Sequence, residues 1–356
     1  MSKETLEYLQ GGNIVVGGIA ERGLPWWAED KWVSGDSQAM TELRSEYRTP
    51  GGRQLFWDGF IPPAEILDGP FGWTALEIEP TVEIGGEHVP MEGYKAIVRN
   101  DTRKTLGVFK KSYEPSQPVH LMDLAMDLLG NDVGLTSAGN LREGAVLWLE
   151  ASVNHEFHND LAGFGYVPNL LISTSFNGTL ANEVVRTVRH SVCDNTHEQA
   201  RNDAVARVKG KHTKNGMGKL SMQGNLLGLI EREAADYDAE ISEMFQTQVN
   251  GKQFSNFLDM WNPIPDWKEG EPTNKLTIAT KKRENILTMW SSDPRVSPWK
   301  GTKLGVHQLI NTYNQHGYAE EDPNKRFEKN MLNVINGNIG KADNEAFKML
   351  DLVLSN

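Results

Sequence analysis

Cysteine is nearly absent: Cys193 is the single one among 356 residues. One thiol can form neither an intramolecular disulfide nor a thiolate zinc cage, and it fits a reducing compartment. Long apolar runs are missing too. No stretch approaches the roughly 18 uninterrupted apolar residues of a membrane span, and Met1 to Gly12 lacks a basic segment leading into an apolar core. These absences predict a cytoplasmic protein without membrane contact. Catalytic signatures are also lacking. Gly216-Met217-Gly218-Lys219-Leu220-Ser221 fails as a phosphate-binding loop, because Thr213 stands where the earlier glycine belongs and Leu220 where Ser or Thr belongs. Gly11 to Gly18 fails as a dinucleotide fingerprint, because no clear strand precedes it. H-E-x-x-H, G-x-S-x-G and calcium-loop patterns are absent. The expectation is no catalytic residue, no metal and no cofactor.

What is present is an ordinary globular balance, 38% hydrophobic and 24% charged, with ten tryptophans and a net charge of −12. The length suffices for one large domain unit over 1–356 with a substantial core. An acidic chain is repelled on average by nucleic acid, so any such partner needs a local basic surface.

The order of elements gives the fold class. Gly11 to Gly18 reads as turn, short strand, turn, and residues 1–60 as extended segments wrapping a core. Tyr94–Arg99 and Thr105–Phe109 read as a hairpin. Thr74–Val82, Gly144–Val153 and Leu170–Phe176 are further strands, and Val119–Leu129 is a helix with Leu121, Leu124, Ala125 and Leu128 on one face. From 178 onward the pattern reads mainly as helices: Thr179–Lys209, with Val185, Val188 and Val192 at helical spacing, then Lys219–Val249, Phe254–Trp261, Lys281–Ser291, Lys303–His316 and Asn344–Leu354. Strands followed by helices predict an α+β protein. An antiparallel sheet in a strand-rich half, 1–177, packs against a mainly helical half, 178–356.

One segment departs from the acidic average. Between Arg186 and Lys219 lie Arg186, Arg189, Arg201, Arg207, Lys209, Lys211, Lys214 and Lys219, opposed by Asp194, Glu198 and Asp203: 8 − 3 = +5 in a chain of −12. The helical reading gathers Arg189, His190, Cys193, His197 and Arg201 at three- and four-residue spacings. The Gly-rich stretch from Lys209 to Lys219 reads as a flexible basic loop able to follow phosphates. The alternative is a solvated helix face paired with the acidic helix that follows, through Glu231, Glu233, Asp236, Asp238 and Glu240.

Other candidates are weaker. Cys193 beside Val192 reads as a buried structural thiol more readily than as a nucleophile served by His190 or His197. His155, His158 and Asp160 have the closeness of metal ligands but no further partner, so a polar loop is the simpler reading. Trp26, Trp27, Trp32, Trp57 and Trp73 offer stacking surfaces for bases, with core packing as the default.

Several segments together resemble a known family. Arg99-Asn100-Asp101-Thr102, Leu106-Gly107-Val108, Tyr113 and Gln117 are similar to the N-terminal hairpin of the phage/plasmid-like domain of unknown function 932. Arg189-His190-Ser191-Val192-Cys193-Asp194-Asn195-Thr196 is similar to its central segment, with one extra residue between the Arg and the Val-Cys. His212-Thr213 matches the H-T that follows. Gly301-Thr302-Lys303 through Tyr313 and His316 resembles its late helix, with Asn311 and Thr312 as departures. The resemblance spans about 20 to 350. It implies a phage- or plasmid-type protein, some of whose relatives sit among replication and recombination genes, and it transfers no activity. The functional expectation is single-stranded nucleic-acid binding or annealing by a homo-oligomer. It needs only Arg and Lys on phosphates and bases left free to pair. A protein-interaction or scaffold role and an enzyme using His155, His158 and Asp160 stand as alternatives.

Overall fold

The computed structural model describes residues 13–17, 52–55, 57, 59–129, 133–153, 156–190, 196–198, 207–212, 226–266, 273–316 and 323–355. The elements in chain order are β1 (Ile14–Val16), α1 (Pro63–Leu67), β2 (Ala75–Ile78), β3 (Thr81–Ile84), β4 (Glu87–Pro90), β5 (Tyr94–Arg99), β6 (Thr105–Lys110), α2 (Pro118–Leu128), β7 (Val133–Leu141), β8 (Val146–Val153), β9 (Phe157–Asn159), β10 (Phe164–Ser175), β11 (Asn182–His190), β12 (Thr196–Glu198), β13 (Arg207–Gly210), α3 (Leu226–Gln246), α4 (Gly251–Trp261), α5 (Asn274–Ser292), α6 (Lys303–His316), α7 (Pro323–Ile335) and α8 (Asn338–Leu354). The protein is α+β, with antiparallel sheets leading and helices following.

The main sheet has the order β1-β7-β8-β10-β11-β12, with β13 also on β11 and β9 on β10. Its centre, β8 and β10, is buried along its whole length. The apolar side chains Leu147, Leu149, Leu170, Ile172 and Val184 share a core with Leu121, Leu124 and Ala125 of α2. A smaller sheet, β2-β5-β6, stands beside it, and β3 and β4 form a separate hairpin. A second core joins Phe164 and Tyr166 at the start of β10 to Tyr237, Phe257, Ile286, Leu309 and Phe347 of the helices.

The sequence places β5, β6, α2, β8, α4 and α6 within a few residues of their observed bounds. It misses α7, whose apolar positions Phe327, Leu332, Val334 and Ile335 are buried in the sheet core. The expected helix over 179–209 is a correction: residues 182–190 form β11 in register with β10, Leu170 opposite Arg186 and Ile172 opposite Val184. Val185 and Val188 fit a helical period, but Val184, Val185, Thr187 and Val188 also make a β-branched cluster that suits a pleated surface. Pairing with an already buried neighbour decided between them. The sheet therefore crosses the 177/178 division and runs to Gly210.

Segments that carry the family resemblance act as braces. Arg99 donates to both carboxylate oxygens of Asp101, at 2.9 and 2.6 Å, and to the carbonyl of Glu143 at 2.9 Å, with its guanidinium 4.6 Å over the Trp73 ring. Gln117 exchanges two hydrogen bonds with the backbone of Ala75, at 2.8 and 3.0 Å, tying the start of α2 to β2. Thr302 accepts from the Gly305 amide at 3.1 Å at the start of α6. A Cβ on Gly305 would meet the Trp299 carbonyl oxygen at 2.1 Å, so only glycine fits there.

Candidate nucleic-acid interface

The outer edge of the main sheet is built from β11 and two short strands that follow one another along it. β12 pairs with the end of β11, Thr187 opposite Glu198 and Arg189 opposite Thr196. β13 pairs with its beginning, Asn182 opposite Gly210 and Val185 opposite Arg207. Local hydrogen bonds fix where β11 starts. The hydroxyls of Ser116 and Thr174 both donate to Asn182 Oδ1, at 3.0 and 2.6 Å. Beyond β13, His212 Nε2 donates to the Leu180 carbonyl at 2.7 Å. The His212 ring lies 5.1 Å from Tyr113, which stacks at 4.0 Å on Phe109. Burial lowers the His212 pKa, with the Leu180 contact opposing it, and burial pushes the Tyr113 hydroxyl up to about 12. Tyr113 and His212, two residues of the family resemblance, thus lock β6 to the end of β13.

Five of the eight basic candidates fall on this edge. Arg186 is half-buried on β11. Arg189 ends the same strand and Arg207 opens β13; their backbones are placed by register, and their side chains lie outside the described residues. Lys209 is exposed on β13 and its Nζ lies 2.8 Å from the carboxylate of Glu183, which is only 3% exposed. Lys211 follows β13 and is exposed. Arg201, Lys214 and Lys219 lie outside the described residues, as does Cys193. The helical grouping of Arg189, His190, Cys193, His197 and Arg201 is corrected: Arg189 and His190 close β11, and His197 stands on β12 opposite Val188.

The acidic helix α3 packs on β9 and β10, where Asp238 accepts from Asn159 Nδ2 at 3.0 Å and the Ala234 carbonyl accepts from Tyr166 at 2.8 Å. His158 and Asp160 are exposed on either side of the buried Asn159, and His155 lies outside the described residues. Among the described residues no group of three His, Cys, Asp or Glu is arranged to hold a metal ion. Trp73 is core, Trp57 packs against it, and Trp26, Trp27 and Trp32 lie outside the described residues.

A polar stripe on the buried sheet face went unread in the sequence. Cross-strand register lines up Trp148, Ser173, Glu183 and Lys209 in one row, Ser137, Glu150, Leu171 and Val185 in the next, and Ser152, Asn169 and Thr187 in a third. All but Lys209 are buried. Ser137 donates to Glu150. Trp148 Nε1, Asn169 Oδ1, Ser173 Oγ and Thr187 Oγ1 have no partner among the described residues. The signal was available: in Leu147 to Ser152, apolar Leu147, Leu149 and Ala151 alternate with Trp148, Glu150 and Ser152. Glu183 connects this stripe to the basic edge through Lys209.

No helix among the described residues is long and apolar enough to cross a membrane. No curated protein matches the chain, and no solved structure matches it. A family model does, across residues 105–334. That stretch runs from β6 through the basic edge to α7, and by it the chain belongs to the family described as domain of unknown function (DUF932).

Proposed function

We propose that the protein binds single-stranded nucleic acid along the β11–β12–β13 edge and acts as an annealing factor in phage or plasmid replication or recombination. The observation that carries this reading is the gathering of Arg186, Arg189, Arg207 and Lys209 on the two outermost strand layers of a sheet, with Lys211 just beyond β13, in a chain of −12. Phosphates are held by cations and by backbone amides of an edge, while bases stay free to pair. The acidic remainder repels the strand and confines it to the basic edge. Such a role asks for no catalytic group.

Fluorescence anisotropy with a labelled single-stranded oligonucleotide tests it. Binding should weaken with salt, with log K falling at a slope of about −2 to −4 if three to five phosphates are neutralised. Lys211→Glu/Lys214→Glu should abolish it without unfolding the chain. Lys209 is left intact in this variant, because it pairs with the buried carboxylate of Glu183. Absence of binding at low salt contradicts the proposal.

A further inference from the structure

The hairpin β3–β4 is an unusual feature. Its register pairs Thr81 with Pro90, Val82 with Val89, Glu83 with His88 and Ile84 with Glu87. Gly85 and Gly86, with φ of 60° and 90°, form the two-residue turn. Every residue from 81 to 90 is exposed. Alternation puts Val82, Ile84 and Val89 on one face, and these are 41%, 62% and 40% exposed. An apolar face on a solitary two-stranded hairpin is poorly supported from within, since such hairpins are marginal alone. Its charges are of one sign: residues 77–92 hold Glu77, Glu79, Glu83, Glu87 and Glu92 and no Lys or Arg. Glu77 and Glu79 are answered by Lys95 and Lys111, whereas Glu83 and Glu87 make no ion pair among the described residues.

Two such hairpins would repel one another, so a self-complementary contact between them is disfavoured. A complementary surface stands elsewhere on the chain. On α5, Ile278 is 68% exposed. Lys275, Lys281 and Lys282 flank it at three- and four-residue spacings, on the same helix face. Lys275 and Lys281 are exposed and make no ion pair among the described residues. Exposed Ile264 follows α4, whose end is joined to this turn of α5 by the bond from Asn262 Nδ2 to Ala279 O at 3.2 Å. Both surfaces are exposed in one copy.

We infer that the β3–β4 hairpin is an assembly arm that docks on the Ile278 face of α5 in a second copy of this chain, Val82, Ile84 and Val89 against Ile278, with Glu87, which pairs with Ile84 and shares its face, against the flanking Lys275 and Lys281. The two patches differ, so the contact is either exchanged reciprocally in a two-fold dimer or repeated head-to-tail into a ring or a filament. It uses neither β11 nor β13 and stands independently of the nucleic-acid reading.

Sedimentation velocity of the full chain, without nucleic acid, tests it across protein concentration and salt. Expected are species larger than a monomer, weakened by salt. Val82→Ser/Ile84→Ser and, separately, Ile278→Ser should each return the monomer. Glu87→Lys should also weaken it, and adding Lys275→Glu/Lys281→Glu should restore assembly. All these side chains are exposed, and unchanged circular dichroism would confirm folding. A wild-type chain that stays monomeric, assembly indifferent to the hairpin and α5 variants, or charge reversal without restoration would each overturn the inference. Oligonucleotide anisotropy on the same variants reads the other proposal separately.

Discussion

At the scale of single residues, Lys209 has two roles that a sequence cannot separate. It contributes charge to the basic edge and satisfies a buried carboxylate. Lys209→Ala should lower stability by about 1–3 kcal/mol, since the buried carboxylate of Glu183 loses a charged donor. Lys209→Arg should retain most of it, and urea unfolding at neutral pH measures both. Thr187 is the opposite case. Its buried hydroxyl has no partner among the described residues, so Thr187→Val should leave stability unchanged or raise it by about 1 kcal/mol. His212 supplies a pH dependence. In the unfolded chain the ring takes up a proton near 6.5, and in the fold burial delays this to lower pH. Between those two values the unfolded chain binds more protons, so this contribution is complete above 6.5 and is lost as pH falls through the window. The wild-type urea midpoint should fall on acidification through that window, and the difference between wild type and His212→Gln should shrink with it. A difference that grows on acidification would contradict the assignment.

At the scale of elements, what was legible depended on how locally each was specified. α6 was readable because Thr302 accepts the Gly305 amide at its start and Val306, Leu309 and Ile310 recur at helical spacing. β11 was not, because Val185 and Val188 fit the helical period although they lie on opposite faces of the strand, and only the partner strand β10 selects the extended form. The same misreading displaced the basic candidates from a helix face to a sheet edge, although the residues themselves were identified. Of the polar column inside α6, only Asn311 was visible, as a departure from the family pattern. Asn311 and Asn314 each donate to Asp343 of α8 at 2.8 Å, and Gln315 donates to Asn311 at 2.9 Å. Asp343 and Asn311 are 1% and 0% exposed. Asp343→Ala should therefore destabilise the helical part by about 3 kcal/mol or more, since two amides lose a charged acceptor. Thermal unfolding followed at 222 nm, a general helix wavelength, would show it. An unchanged midpoint would mean that the column contributes little to α6–α8 packing.

At the scale of the whole molecule, charge is segregated. The chain carries −12 overall, the stretch Arg186 to Lys219 carries +5, and residues 77–92 hold five acids with no Lys or Arg. The proposed strand site and the proposed assembly contact occupy different parts of this distribution. An assembled array would then present its basic edges in series, and cooperative binding along a long strand should follow, lost together with assembly in Val82→Ser/Ile84→Ser while single-site binding persists. The most direct measurement of the central claim is photo-crosslinking of a single-stranded oligonucleotide carrying 4-thiothymidine, followed by peptide mapping. The account predicts cross-links within residues 182–190 and 196–212, suppressed by salt. Cross-links confined to the helices after 226, or none at low salt, would contradict it.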